Sequence, residues 1–276
     1  MAVFKNGIFA YDNGKPVTPQ SLGISLSGIQ TCQQFFTSAS ISDNTQKYAV
    51  YALVGDLETY SIWDKMKAVY PMVGQADVSS SFEINLKDPS TFRGTFYGGW
   101  EFTNTGAKPN GSTGYMDTGL NANSILSLNS THLSYYSRTN LIGLQVEMGV
   151  TNGGGGGTYL LYNYNGAGYS AINAQESVRS SVANPTTGFL IGSRLSSTEE
   201  KYYTNNVSQT RTQNSTSIIN ANIFLGCYNN TLNSNNRFYS GKECAFASIG
   251  DGLTDTEAAN LYTAVQRFQT TLGRQV

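Results

Sequence analysis

A single histidine, His132, stands in this chain of 276 residues. Any Ser–His–Asp or Cys–His arrangement would have to use it. Its surroundings, Ser130-Thr131-His132-Leu133-Ser134-Tyr135, hold no Gly-x-Ser-x-Gly elbow that could present a nucleophile, so the residue reads as structural. Cysteine is almost as scarce. Cys32, Cys227 and Cys244 are odd in number, widely spaced and without a Cys-x-x-Cys pair, which argues against a zinc site. Cys227 and Cys244 fall in predicted strands and could be neighbours, but buried free thiols are the preferred reading. Charged residues make up only 13% and the net charge is −1, which leaves no electrostatic footprint for nucleic acid or an anionic membrane. No apolar run approaches the ~20 residues a membrane helix requires. Met1 to Gly7 lacks the apolar core of a secretion signal. Surface-type chemistry without an export signal leads to the expectation of assembly inside a host cell and release by lysis.

What is present is tyrosine (18), phenylalanine (13) and glycine (29), with Ser, Thr and Asn between them, a mixture suited to many short strands joined by polar turns. At the N-terminus, Val3-Phe4 and Ile8-Phe9 flank Asn6-Gly7 as a candidate hairpin. Residues 1–40 are read either as an extra strand on the main domain or as an arm that docks on a neighbouring subunit. Residues 41–75 read as helical: Ser42-Asp43 caps a stretch carrying Tyr48, Ala49, Ala52, Leu53, Asp56 and Leu57, then, past a kink near Ser61, Ile62, Met66, Ala68 and Val69, with Pro71 ending it. Gly55 inside this helix marks close packing, and Trp63 and Tyr70 are assigned to packing against a sheet.

From Phe82 the period becomes two. Strands are predicted over Phe82–Leu86, Phe96–Phe102, Leu133–Tyr135, Ile142–Val150, Tyr159–Tyr164, Phe189–Ser193, Ile218–Tyr228 and Phe238–Ile249. With no intervening helix signal, that order predicts an antiparallel β-sandwich over residues 76–276 rather than βαβ units. Gly153 to Gly157 lacks the Gly-Lys-Ser/Thr ending of a phosphate loop and reads as a hairpin tip. Residues 195–217, polar and almost without aliphatics, read as a long loop or a ragged sheet edge. In the last strand, Cys244, Phe246 and Ser248 alternate with Ala245, Ala247 and Ile249. After Gly250-Asp251-Gly252, Thr254 and Glu257 form a capping box, and Ala258, Leu261, Val265, Phe268 and Leu272 draw one apolar stripe along a helix stopped by Gly273.

This strand, the run Gly250-Asp251-Gly252-Leu253-Thr254-Asp255-Thr256-Glu257-Ala258 and the following helix resemble the closing element of concanavalin A-like, laminin G-type jelly-roll domains. The likeness extends to jelly-roll domains in structural proteins of tailed bacteriophages, with further support in Leu57–Pro71 and Phe82–Pro89, and covers about residues 40–276. Gly114-Tyr115-Met116-Asp117-Thr118-Gly119-Leu120 is similar to a segment near the start of jelly-roll lectin domains. The fold implied is a mainly-β antiparallel jelly roll with an N-terminal helical segment and a C-terminal helix. The role implied is a non-enzymatic virion component, a head or tail fibre or a decoration protein, tightly associated with copies of itself and with capsid or tail proteins. The alternative is a carbohydrate-binding lectin-like module. Its candidate ring platforms are Trp100, Tyr97, Tyr115, Tyr202 and Tyr203. The Glu-x-Asp-x-x-Glu strand of glycan-cleaving relatives is missing: Glu83, Glu101, Glu147 and Glu243 stand alone, and Glu199-Glu200 would point to opposite faces of a strand. No catalytic residue, metal or cofactor is assigned; Asp117 and Asp251 are weak calcium candidates without ligand spacing.

Overall fold

The computed structural model describes residues 10–12, 15–153, 156–175, 178–179, 186–234 and 237–276. The hairpin expected across Asn6-Gly7 lies outside them. In chain order, a small hairpin of β1 (Ala10–Asp12) and β2 (Lys15–Val17) leads into α1 (Leu26–Ser38), α2 (Asn44–Thr59), β3 (Met66–Tyr70) and the one-turn α3 (Ser79–Phe82). Next come β4 (Thr95–Tyr97), β5 (Trp100–Thr103), β6 (Gly106–Pro109), β7 (Tyr115–Asn121), a short α4 (Ala122–Ile125), β8 (Thr131–Ser137) and β9 (Met148–Thr151). The chain goes on through β10 (Gly157–Tyr164), β11 (Ala167–Ala174), β12 (Val178–Arg179), β13 (Gly188–Arg194), β14 (Glu199–Thr204) and β15 (Val207–Thr212). It ends with β16 (Asn222–Leu225), β17 (Tyr228–Asn230), β18 (Cys244–Gly250) and α5 (Asp255–Thr271).

The strands form two sheets. The front sheet runs β12-β11-β10-β9-β16-β7-β4, with β17 also on β9; the back sheet runs β15-β14-β13-β8-β18-β6-β5, with β3 on β18. Alternation places Leu133, Tyr135, Leu160, Tyr162, Leu190, Tyr202 and Ala247 between the sheets. The opposite positions of the back sheet, Tyr136, Phe189, Ile191, Tyr203 and Phe246, meet a layer of helices. That layer is α1 through Ile29, Cys32, Phe35 and Phe36, α2 through Val50, Leu53, Val54 and Leu57, and α5 through Ala258, Leu261, Val265 and Phe268. The β-sandwich with N-terminal helices and a C-terminal helix is the architecture the sequence implies. The back sheet is sealed by helices, and the front sheet keeps its outer face.

Several local readings hold. Asp43 Oδ1 accepts from Gln46 N at 2.8 Å, and Thr254 and Glu257 close a full capping box. Gly55 lies against the backbone of Leu22, where a methyl group would stand 2.4 Å from the carbonyl oxygen. Tyr70 is buried and donates to Phe92 O at 2.6 Å, and Trp63 is buried. The three thiols are buried and free.

Others are overturned. The helix does not continue past Ser61, whose positive φ of 59° breaks it; Met66–Tyr70 is a strand on β18, sending Met66 and Val69 to the helical layer and Ala68 and Tyr70 between the sheets. A 13-residue helix, α1, occupies part of the expected arm, with Ser25 as its cap. Phe82, Ile84 and Leu86 are buried with period two but form no strand. The Asn85 side chain takes the place of a ladder partner, accepting from Val69 N at 2.9 Å, while Leu86 N donates to Val69 O. Only Met148–Thr151 of the 142–150 run is strand; Ile142 and Leu144 project into solvent. At 195–217 the edge reading holds and the loop does not: the outermost strands of the back sheet there form the β14–β15 hairpin. Its turn is Asn205-Asn206, both at positive φ, as a two-residue turn between strands of right-handed twist demands. In β18, a register shift between Cys244 and Phe246 moves Cys244 to the inter-sheet side, out of the simple alternation.

Candidate functional site

The open face of the front sheet carries an unusual density of rings. Tyr97 on β4 and Tyr115 on β7 are directly paired across the strands, and their rings stack at 4.8 Å with 14° between planes. Tyr115 stacks in turn on Phe224 of β16 at 4.8 Å. The result is a three-ring ladder crossing three strands, and Tyr97, 46% exposed, is its outer end. Such cross-strand ring pairs stabilise a sheet by roughly 0.5–1.5 kcal/mol beyond burial, so the ladder is held rigid without a ligand.

Polar groups are fixed beside it. Asp117, two residues along β7 on the same face, accepts from Asn222 Nδ2 at 3.0 Å and Gly119 N at 2.9 Å. The Arg237 guanidinium lies 4.8 Å from the Tyr115 ring centre and 5.3 Å from that of Phe224. The next residue, Phe238, belongs to a second group of rings. Phe238 packs on Tyr228 at 5.6 Å, Tyr228 on Tyr159 at 5.7 Å, and Tyr164 meets Tyr169 at 6.3 Å. With Val146, Leu144 and Leu161 these rings line a groove of about 330 Å³. Arg237 and Phe238 thus join ladder and groove along one face. Burial, with Tyr159 nearby, holds the Tyr228 phenol protonated far into the alkaline range.

Of the five rings singled out from sequence, the structure brings Tyr97 and Tyr115 together on this face. Trp100 is beside them but packs against the inter-sheet core, edge-on to Phe96 at 4.9 Å, with its indole N–H donated to Tyr97 O at 3.1 Å. It braces the backbone of Tyr97 rather than offering a platform. Tyr202 and Tyr203 are elsewhere, 1% and 3% exposed. Tyr202 faces the inter-sheet core and donates to Leu161 O; Tyr203 faces the helices and donates to Asp255. Sequence reasoning passed over Phe224, Tyr228, Arg237 and Phe238. The uniformly apolar Tyr159-Leu160-Leu161-Tyr162 was the available signal, since a strand apolar on both sides has a second face to cover.

Of the isolated acids, Glu101 is exposed on β5 and the others are engaged. Glu83 and Glu243 pair with Arg93 and Arg138, and Glu147, inside the sandwich, lies 3.2 Å from Lys242 Nζ. Glu200 is buried against Arg194, while Glu199 points outward. Burial raises the carboxyls of Glu147 and Glu200, against the pull of those cations. His132 is buried, with Nδ1 2.6 Å from Asp251 O and Nε2 3.0 Å from Ser248 Oγ. Among the described residues no three His, Cys, Asp or Glu side chains gather as metal ligands. Among the described residues no helix is long and apolar enough to cross a membrane.

Two antiparallel sheets with this topology define a concanavalin A-like β-sandwich. Solved structures with the same architecture include the fourth domain of an extracellular GH43 arabinanase from Geobacillus stearothermophilus, in complex with arabinotriose. It is 16% identical, and the match takes in 71% of this chain and 98% of that domain with a TM-score of 0.51. A sialidase from Trypanosoma rangeli, in complex with sialic acid, is 10% identical and matches 72% of this chain with a TM-score of 0.52; the match spans 33% of the sialidase. At these identities the likeness is one of fold, and neither is a virion protein. No protein-family model matches the sequence, and no curated protein matches it.

Proposed function

We propose that this chain is a carbohydrate-binding, lectin-like module that holds glycans on the open face of its front sheet and catalyses no reaction. The observation that carries this reading is the ladder of Tyr97, Tyr115 and Phe224, rigid and partly exposed on the sandwich face that no helix covers. A sugar ring turns C–H groups along one face and hydroxyls around its rim. The negative face of an aromatic ring attracts the former, and the carboxylate and amide of Asp117 and Asn222 suit the latter. The arabinotriose seen on the arabinanase domain of the same fold adds support. The engagement of Glu147, Glu200 and Glu243 in ion pairs supports the non-catalytic part, because most glycosidases work with two carboxyls facing one sugar.

A role in a bacteriophage particle, as a fibre or decoration protein that recognises a host-surface glycan, fits the same site but draws on the sequence resemblance alone. A glycan microarray probed with the full chain and with Tyr97→Ala and Tyr115→Ala tests the binding reading. The expected result is a defined glycan set bound by the parent and weakened about tenfold, ~1.4 kcal/mol, by either substitution. Absence of binding, or binding indifferent to both, refutes it. Shortening of the bound glycans on incubation would refute the non-catalytic part.

A further inference from the structure

We propose that the glycan is acidic and that Arg237 binds its carboxylate; this rests on the lectin reading and deepens it. Five other arginines have their charge answered within the chain. Arg93, Arg138, Arg194 and Arg267 each lie within 4 Å of a carboxylate, and the buried Arg274 is wrapped by the carbonyls of Pro71, Met72 and Ala245. Arg237 takes part in no such pair. It lies over Tyr115 and Phe224, and its Nε is buried without a hydrogen-bond partner.

A half-buried cation over two rings of the candidate site, hydrogen-bonded to Tyr115 and paired with no carboxylate among the described residues, is an anion receptor in both charge and shape. The planar fork matches a carboxylate through two parallel N–H···O bonds, and stacking fixes its orientation beforehand. The aromatic bed lowers the local dielectric, so the pair gains more there than on an open surface. Asp117, already held by Asn222 and Gly119, repels a carboxylate placed at its own end of the ladder and accepts hydroxyls instead. The two charges thereby set one direction for the sugar: carboxylate toward Arg237, hydroxyl rim toward Asp117. A uronic or sialic acid residue has this chemistry. A sulfate ester offers the same charge on a tetrahedral group.

The test is calorimetric titration of the full chain with matched ligands: oligogalacturonate against its methyl ester, sialyllactose against lactose, and a sulfated oligosaccharide against its desulfated form. One carboxylate ligand is expected to bind at least about tenfold more tightly than its neutral partner at low salt, with a gap that narrows as salt rises. Arg237→Gln should abolish the gap by weakening the acidic form alone, and Arg237→Lys should restore part of it. Equal affinity for acidic and neutral partners overturns the proposal and leaves the lectin reading intact, as does a preference confined to the sulfated ligand. Equal weakening of both partners by Arg237→Gln, with a lowered Tm, would make Arg237 a strut for the rings and overturn it too. If no glycan binds, both readings fall.

Discussion

Replacing Glu200 by leucine tests how the two sheets are fastened. Glu200 and Arg194 are wholly buried and 3.3 Å apart. Around them the front sheet is tied to the back: Glu200 accepts from Ser170 Oγ at 2.5 Å and Ile172 N at 3.0 Å, and Arg194 Nε donates to Ile172 O at 2.6 Å. Arg194 also gathers the carbonyls of Ser196, Glu199 and Gln213. Removing the carboxylate leaves a buried guanidinium without its counter-charge, a change that costs about 3–5 kcal/mol. Against a total stability of ~5–15 kcal/mol this is large. With a urea m-value near 3 kcal/mol/M, the midpoint falls by about 1–1.7 M. Equilibrium urea unfolding followed by circular dichroism gives the number. Glu199→Gln, one residue away and facing solvent, is the control and should stay within about 0.5 kcal/mol. The double variant Arg194→Met/Glu200→Leu should lose clearly less than the sum of the single changes, because no orphan charge remains. A loss below 1 kcal/mol for Glu200→Leu, or strict additivity, would refute the reasoning.

The neutral His132 ring donates from Nδ1 to Asp251 O and accepts from Ser248, and burial lowers its pKa to about 4 from an unfolded value near 6.5. The unfolded chain therefore binds the extra proton first as pH falls. Stability should drop by up to about 3 kcal/mol between pH 6.5 and 4, and His132→Gln should flatten that slope in a pH series of unfolding curves; parallel slopes would contradict it. Gly55→Ala should destabilise by about 1–3 kcal/mol despite alanine's helix propensity, since the new methyl would meet Leu22 O at 2.4 Å and Ile24 at 3.0 Å. A raised Tm in that variant would show that the contact yields freely.

The sequence displayed the elements that obey one period and one cap. The α5 stripe and its Thr254–Glu257 box, the Asp43 cap and the alternation of β8, β13 and β18 were all legible, and with them the sandwich. Residues whose pattern has two causes were not. Met66–Tyr70 buries apolar side chains on both sides because, as a strand of the back sheet, it faces the helices on one side and the front sheet on the other, and such a run has no period to distinguish strand from helix. At the sheet edge, β15 exposes nearly every side chain, so no alternation marked the hairpin; only Asn205-Asn206 did. Half of the site was visible in the same way. Tyr97 and Tyr115 lie in short strands at recognisable turns, whereas Phe224 reaches them through the pairing of β16 with β7 and Arg237 from the segment between β17 and β18, long-range placements that no local pattern encodes.

Amide hydrogen exchange with and without a saturating bound glycan tests most directly the claim that the front face is the ligand face. Protection should rise in peptides covering β4, β7, β16 and residues 237–239 and stay unchanged in α1, α2 and α5. Protection concentrated in the helices, or none on the front sheet while glycan is bound, would contradict it.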